Sequence, residues 1–285
     1  MGQLKEKLRR DLITRGFSTE TERAYLSAMQ AFVVFQKKSP DLLKPEDIQR
    51  YHLYLIQEKK FSASTVNVHM AAIRFFYWET LGVNWDPNII PFTKVTRKVP
   101  IILDPQEVAD IFNSIKNIKH KALLMTLYSA GLRTNEAINL KAEDIDSKRM
   151  LIHIREGKGN KQRYSMLSKT LLQILRRYWV ENKGVKKHWL FPGRDCTQHV
   201  DRSLLGLVFK KAQKRIHIKK NVNVHSLRHG FATHLLEMGV NLRVIQALLG
   251  HSCISSTTIY TRVQKDIFEE IRNPLDEMAS KLIGI

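Results

Sequence analysis

Met150-Leu151-Ile152-His153-Ile154-Arg155-Glu156-Gly157-Lys158-Gly159-Asn160-Lys161-Gln162-Arg163-Tyr164-Ser165-Met166-Leu167 is the stretch of this 285-residue chain whose period changes from helix to strand. Residues 150–155 and 162–167 read as two strands, and Gly157-Lys158-Gly159-Asn160 puts glycines where a hairpin turn needs them. Before it, Asp104-Pro105-Gln106-Glu107 starts a helical stretch that runs to about Leu140, and everything after Ser168 reads as mostly helical. One hairpin set among helices predicts a mainly α fold with a small antiparallel β-sheet, an α+β class.

Upstream, residues 1–86 read as a separate four-helix domain. Thr19-x-x-Glu22 is a capping box ahead of a stripe at Tyr25, Met29, Phe32 and Val33. Pro45 with Glu46 and Asp47 opens the next helix, whose inner face is Ile48, Tyr51, His52 and Leu55. Ser62 or Ser64 caps a further helix facing inward with Val66, Met70, Ile73 and Tyr77, and Gly82 ends it. Residues 87–100, punctuated by Pro87, Pro91 and Pro100, read as a basic linker, and residues 101–285 as a second domain.

Charge names the partner class. The 47 basic and 27 acidic side chains leave +20, and residues 148–220 alone hold 20 basic against 4 acidic, a net of +16. A field that strong and local favours a polyanion, DNA first. No apolar run approaches the ~20 residues that cross a bilayer. The N-terminus has no leader-like apolar segment, and Cys196 and Cys253 make no disulfide framework. These features predict a reducing, cytoplasmic setting with no membrane.

Five short segments hold residues that packing does not explain. Ala130-Gly131-Leu132-Arg133-Thr134-Asn135-Glu136 sets an arginine beside a glycine in an apolar region, and the hairpin turn presents Lys158. His225-Ser226-Leu227-Arg228-His229 puts a histidine and an arginine on one helical face. Leu249-Gly250-His251 ends a helix, and Tyr260 follows nine residues later. Together they suit attack on a phosphodiester. Two guanidiniums hold the non-bridging oxygens and neutralise charge growing in the transition state. A tyrosine of pKa about 10 is ionised in only about one molecule in a thousand at neutral pH, so it needs a base and a positive pocket. His225 and the arginines supply these, while Lys158 protonates the leaving 5′ oxygen. The phosphotyrosine stores the energy of the broken bond, so the cycle calls for no ATP, metal or other cofactor. A zinc site among these histidines and Cys253 is disfavoured by the surrounding positive charge.

These motifs, in this order and extended by Phe231-Ala232-Thr233-His234, resemble the tyrosine recombinases of the phage integrase family over nearly the whole chain. By that resemblance Arg133, Lys158, His225, Arg228, His251 and Tyr260 take the six catalytic positions, and Glu136 supports the first arginine. The resemblance implies a site-specific recombinase working through a 3′-phosphotyrosine and a Holliday junction. It further implies a C-shaped clamp on double-stranded DNA, with a dimer on one site and a tetramer in the synapse. A partner recombinase or accessory protein is compatible with that role. The helix holding Ser64, Asn67 and Arg74 is the candidate for major-groove contact; Lys94, Arg97 and Lys98 of the linker and Lys161 and Arg163 of the hairpin are candidates for phosphate contact. His229 and His234 are expected to pack or to support. Leu275, Met278 and Leu282 form an apolar stripe at the C-terminal end, expected to dock residues 274–285 on a neighbouring subunit. Two rivals stand beside this reading. A type IB topoisomerase shares the chemistry but relaxes supercoils without pairing two sites, and the small N-terminal bundle argues against it. A non-catalytic DNA-binding protein leaves the six-residue set unexplained.

Overall fold

The computed structural model describes residues 2–83, 86–96, 100–155, 162–182, 188–250 and 272–282, and divides into two compact units, Met1–Lys98 and Val99–Ile285. Among the described residues no helix is long and apolar enough to cross a membrane.

The first unit is built from α1 (Gly2–Thr14), α2 (Thr19–Gln36), α3 (Pro45–Gln57) and α4 (Ala63–Phe75). The cap of α2 lies one residue earlier than the sequence reading: Ser18, not Thr19, accepts the backbone N–H of Thr21. Ser62 rather than Ser64 caps α4, accepting from Thr65 at 3.2 Å. The expected inner faces close on one core containing Met29, Phe32, Ile48, Tyr51, Val66, Met70, Ile73 and Tyr77. A π-helical turn, Phe76–Thr80, follows α4, and Gly82 at φ +72° lets the chain leave it.

The stretch read as a linker from residue 87 is, through Thr93, part of this unit. Ile90 is fully buried in its core. The Asn67 amide donates to the Thr93 carbonyl at 2.9 Å and accepts its N–H at 2.7 Å, while His52 bonds the Thr93 hydroxyl at 3.0 Å. Arg74 Nε donates to the Ile90 carbonyl at 3.0 Å, and its guanidinium lies 4.2 Å from the centre of the Phe92 ring. Prolines stop a helix; they do not stop a strap from packing.

The second unit opens with α5 (Pro105–Asn113), capped reciprocally by Asp104 and Glu107. Helix α6 (Ile118–Ser129) is buried on nearly every side and is the pillar of this unit. The helical stretch expected to reach Leu140 breaks after α6 and resumes as the short α7 (Thr134–Ile138). The hairpin strands are β2 (Leu151–Ile154) and β3 (Arg163–Met166), in antiparallel register with Ile152 opposite Ser165. A further two-residue strand, β1 (Ile145–Asp146), adds to the other edge of β2, giving the order β1-β2-β3. Then come α8 (Lys169–Glu181), α9 (Arg202–Arg215), α10 (His225–Glu237) and α11 (Leu242–Leu249).

The C-terminal stripe packs within this chain: Leu275, Met278 and Leu282 are buried in the core of the second unit. Asp276 accepts the N–H of Lys169 and of Thr170 at the start of α8, where a carboxylate suits the helix dipole. Asn273 donates to the Ser129 carbonyl at the end of α6, and Asn113 donates to the Lys281 carbonyl.

Candidate active site

The site is organised by a reversal of the chain after α6. Gly131, at φ +57°, makes the turn, and a Cβ there would fall 2.6 Å from Phe231 Cδ1 and 2.9 Å from Leu249 Cδ2. Only glycine fits both the dihedral and the space. The turn delivers Arg133 in extended conformation to the start of α7, not to a helical interior as its surroundings suggested.

Glu136 lies one turn further on and is almost fully enclosed, with 2% of its side chain exposed. Its Oε2 accepts the Arg133 backbone N–H at 2.8 Å and its Oε1 accepts Arg133 Nη1 at 2.8 Å. Arg163 approaches from β3 and donates Nη1 to Oε1 at 2.8 Å and Nη2 to Oε2 at 2.7 Å, a two-pronged pair. Arg228, on α10, brings Nη1 to 3.7 Å from Oε2. Burial alone would raise the Glu136 pKa, but the hydrogen bonds and charge of Arg163, then of Arg133, hold it at about 2.

The three guanidiniums differ in access. Side-chain exposure is 26% for Arg133, 10% for Arg163 and 5% for Arg228, so Arg133 is the most open to an incoming group. Arg228 donates Nη1 to the Gly131 carbonyl at 2.5 Å and Nη2 to the Leu249 carbonyl at 2.6 Å, tying α10 to the turn and to the end of α11. Its pKa is lowered to about 9 by burial first and by Arg133, against the pull of Glu136; it stays charged at neutral pH. Three cations against one carboxylate leave a positive surplus that favours a bound phosphate.

His225 is the first residue of α10. Asn223 Oδ1 accepts its N–H at 2.8 Å, and Ser226 Oγ accepts the Asn223 N–H at 3.1 Å, so the helix start is fixed from both sides. The His225 ring stands edge-on to His229, with centroids 4.7 Å apart. Burial, then the charges of His229, Arg228 and Arg133, lower its pKa, which keeps the imidazole neutral and able to accept a proton. His234 packs instead: Nε2 lies 3.0 Å from the Leu103 carbonyl, so it carries the proton there, and Nδ1 accepts from the Tyr128 hydroxyl at 2.8 Å.

The structure thus brings Arg133, Glu136, His225 and Arg228 together. Lys158, Lys161, His251, Tyr260, Arg97 and Lys98 lie outside the described residues. Ser64 and Lys94 are exposed. Asn67 and Arg74, expected to contact DNA, hold the strap at 90–93, and Arg163 turns inward to Glu136 instead of outward to a phosphate. Gly250 closes α11 at φ +64°, at the helix end that Leu249-Gly250-His251 marks in sequence; the inward arginine and the room this glycine leaves for it, with Arg163 Cδ 2.8 Å from where its Cβ would be, were not legible there. A cavity of about 250 Å³ is lined by Glu136, Lys141, Asp144, Arg155 and Trp189 but by neither Arg133, Arg228 nor His225, so it is not where a phosphate held by those groups would sit.

Comparison with known proteins identifies the family and the fold. Residues 102–266 match the phage integrase family, and residues 4–87 match the phage integrase N-terminal SAM-like domain. A protein of Sinorhizobium fredii, provisionally named integrase/recombinase y4qK, is 43% identical over 264 residues, 92% of this chain and 85% of its own. The tyrosine recombinase XerA of Pyrococcus horikoshii is 35% identical over 210 residues, 73% of this chain and 72% of its own. Among solved structures, the XerH site-specific recombinase bound to its difH substrate in a pre-cleavage complex superposes with a TM-score of 0.68 at 22% identity, over 90% of this chain and 79% of that one.

Proposed function

The chain belongs to the phage integrase family, the tyrosine recombinases, and from that premise we propose that it breaks and rejoins double-stranded DNA at a specific site through a covalent bond to Tyr260. One observation carries the reading: a single buried carboxylate, Glu136, gathers Arg133 at 2.8 Å and Arg228 at 3.7 Å, while the proton affinity of His225 feels both arginines.

In the proposed step the Tyr260 oxygen forms a bond to the scissile phosphorus as the bond from phosphorus to the 5′ oxygen breaks. Neutral His225 takes the tyrosine proton, and Lys158 gives a proton to the departing 5′ oxygen. Arg133 and Arg228 neutralise the charge that grows on the non-bridging oxygens, and His251 completes the set. The products are a 3′-phosphotyrosine and a free 5′-hydroxyl. Attack by a 5′-hydroxyl from a partner duplex reverses the chemistry on a new strand and yields a Holliday junction. Two subunits on one site and four in the synapse supply the paired cuts, and Ser64, Lys94, Arg97, Lys98 and Lys161 are proposed DNA contacts. The work served is integration and excision, or resolution of replicon dimers or transposon cointegrates, alone or with a partner protein.

The test is covalent trapping. The purified protein is incubated with sheared host DNA in EDTA and denatured, and the attached DNA ends are sequenced, with Tyr260→Phe in parallel. Adducts at a shared sequence that vanish in the variant are the expected result. Adducts that persist in Tyr260→Phe would show that another residue is the nucleophile.

A further inference from the structure

We propose that Arg163 is a positioning residue of this site: its fork fixes the carboxylate that aims Arg133, and its Nε ties the end of α11 to that same carboxylate. The inference rests on the recombinase reading above and deepens it. Besides the two bonds to Glu136, Nε of Arg163 donates to the Leu248 carbonyl at 3.1 Å. All three nitrogens therefore face inward, and the side chain is 10% exposed, a poor position for gripping a DNA backbone.

The surroundings are shaped for this approach. A Cβ on Gly250 would meet Arg163 Cδ at 2.8 Å, Nε at 3.1 Å and Cζ at 3.3 Å, so a left-handed glycine at that position is what leaves room for the guanidinium. The last carbonyls of α11 lack partners within the helix, and two are met by cations: Leu248 by Arg163 and Leu249 by Arg228. The carboxylate of Glu136 thus joins the α7 start, β3 and, through Arg163, Leu248 in the last turn of α11. A lysine keeps the charge but has no planar fork, so it cannot serve both oxygens of Glu136 and the Leu248 carbonyl at once.

Arg163→Lys should therefore lower the rate of covalent adduct formation at saturating sheared host DNA by about 10²-fold, the cost of a misaimed group. Its affinity for the same DNA, and the dependence of that affinity on salt, should stay as in the parent protein. A phosphate contact would do the reverse, reducing the salt slope by about 1 and sparing the saturated rate, and that outcome overturns the proposal. Gly250→Ala, which removes no charge, should show the same kinetic defect by displacing Arg163. Combining Arg163→Lys with Glu136→Gln should cost no more than the worse single change, because both break one contact; losses that multiply would count against action through Glu136. If the parent protein forms no adduct, it is the recombinase reading that fails, and the brace is judged separately. Titration of the Glu136 carboxyl carbon by NMR should then show its pKa moving up in Arg163→Lys, and an unmoved midpoint refutes the brace.

Discussion

At Gly131 two independent constraints fall on one atom: a Cβ would press against Phe231 and Leu249, and φ is already +57°. Left-handed backbone at a non-glycine residue and an overpacked core each cost about 1–2 kcal/mol or more, so Gly131→Ala should lose about 3 kcal/mol in urea unfolding. Titration adds a second expectation. Glu136 is held near pH 2 against an ordinary 4.5, so the folded state binds its proton less readily than the unfolded state. The stability it contributes is present above pH 4.5 and drains as pH falls toward 2, a displacement worth about 3 kcal/mol. His234, His225 and His229 are lowered from 6.5, burial being the first cause in each, so their share is present above pH 6.5 and is lost as pH drops below it. Stability measured by thermal unfolding should fall in two acid windows, and Glu136→Gln should remove the dependence in the lower one. Much at this scale was legible: Arg133, Glu136, His225 and Arg228, which residue chemistry and the family resemblance singled out, lie near one another. Arg163 was not, because an arginine on a four-residue strand reads the same whether it faces a phosphate or a buried carboxylate.

Elements were read well where they are long and periodic and poorly where a few bonds decide. The stripes of α2, α3 and α4 carry an unmistakable helical period, and the hairpin carries a period of two. Strand β1 has only two residues and therefore no period, and its pairing with Ile152 and Leu151 comes from the turn after it, where Asp146 accepts the N–H groups of Lys148 and Arg149. The strap at 87–93 was read as a linker because its prolines are visible in sequence while the partners that hold it, Asn67, His52 and Arg74, lie 16 to 41 positions away. If Asn67 serves that strap, Asn67→Ala should destabilise the protein by about 1–3 kcal/mol, since the Thr93 N–H and carbonyl both lose their partner. Hydrogen exchange should rise at residues 89–93 and not in α2. Protection unchanged there, with DNA affinity reduced, would return Asn67 to the groove. At the other end of the chain, Asp276→Ala should loosen residues 272–282 by about 1 kcal/mol by taking the acceptor from the first two N–H groups of α8, read as faster exchange at Lys169, Thr170 and Leu275.

Across the whole molecule the charge is the feature least tied to the fold and most tied to the partner. Nothing in the packing of either core demands a net of +16 in residues 148–220. Arg163, Arg155 and Lys220 in that span are paired with Glu136, Asp144 and Glu107, but four lysines of α9 and the loop after it, Lys210, Lys211, Lys214 and Lys219, are exposed. Neutralising phosphates releases counterions, and each contact contributes about 0.9 to the slope of log affinity against log salt. A protein that grips duplex DNA with 6–10 such contacts loses about 10³–10⁵ in affinity between 50 and 200 mM salt, and that is the expected behaviour of this chain. Changing Lys210, Lys211, Lys214 and Lys219 to Gln together should lower the slope by about the number of contacts removed, leaving the saturated rate of adduct formation at Tyr260 as it was. These lysines then differ in kind from Arg163, whose replacement should slow the chemistry and spare the slope. A slope unmoved by the fourfold change would place this face of α9 off the DNA and shift the burden of binding to Lys94, Arg97, Lys98 and Lys161.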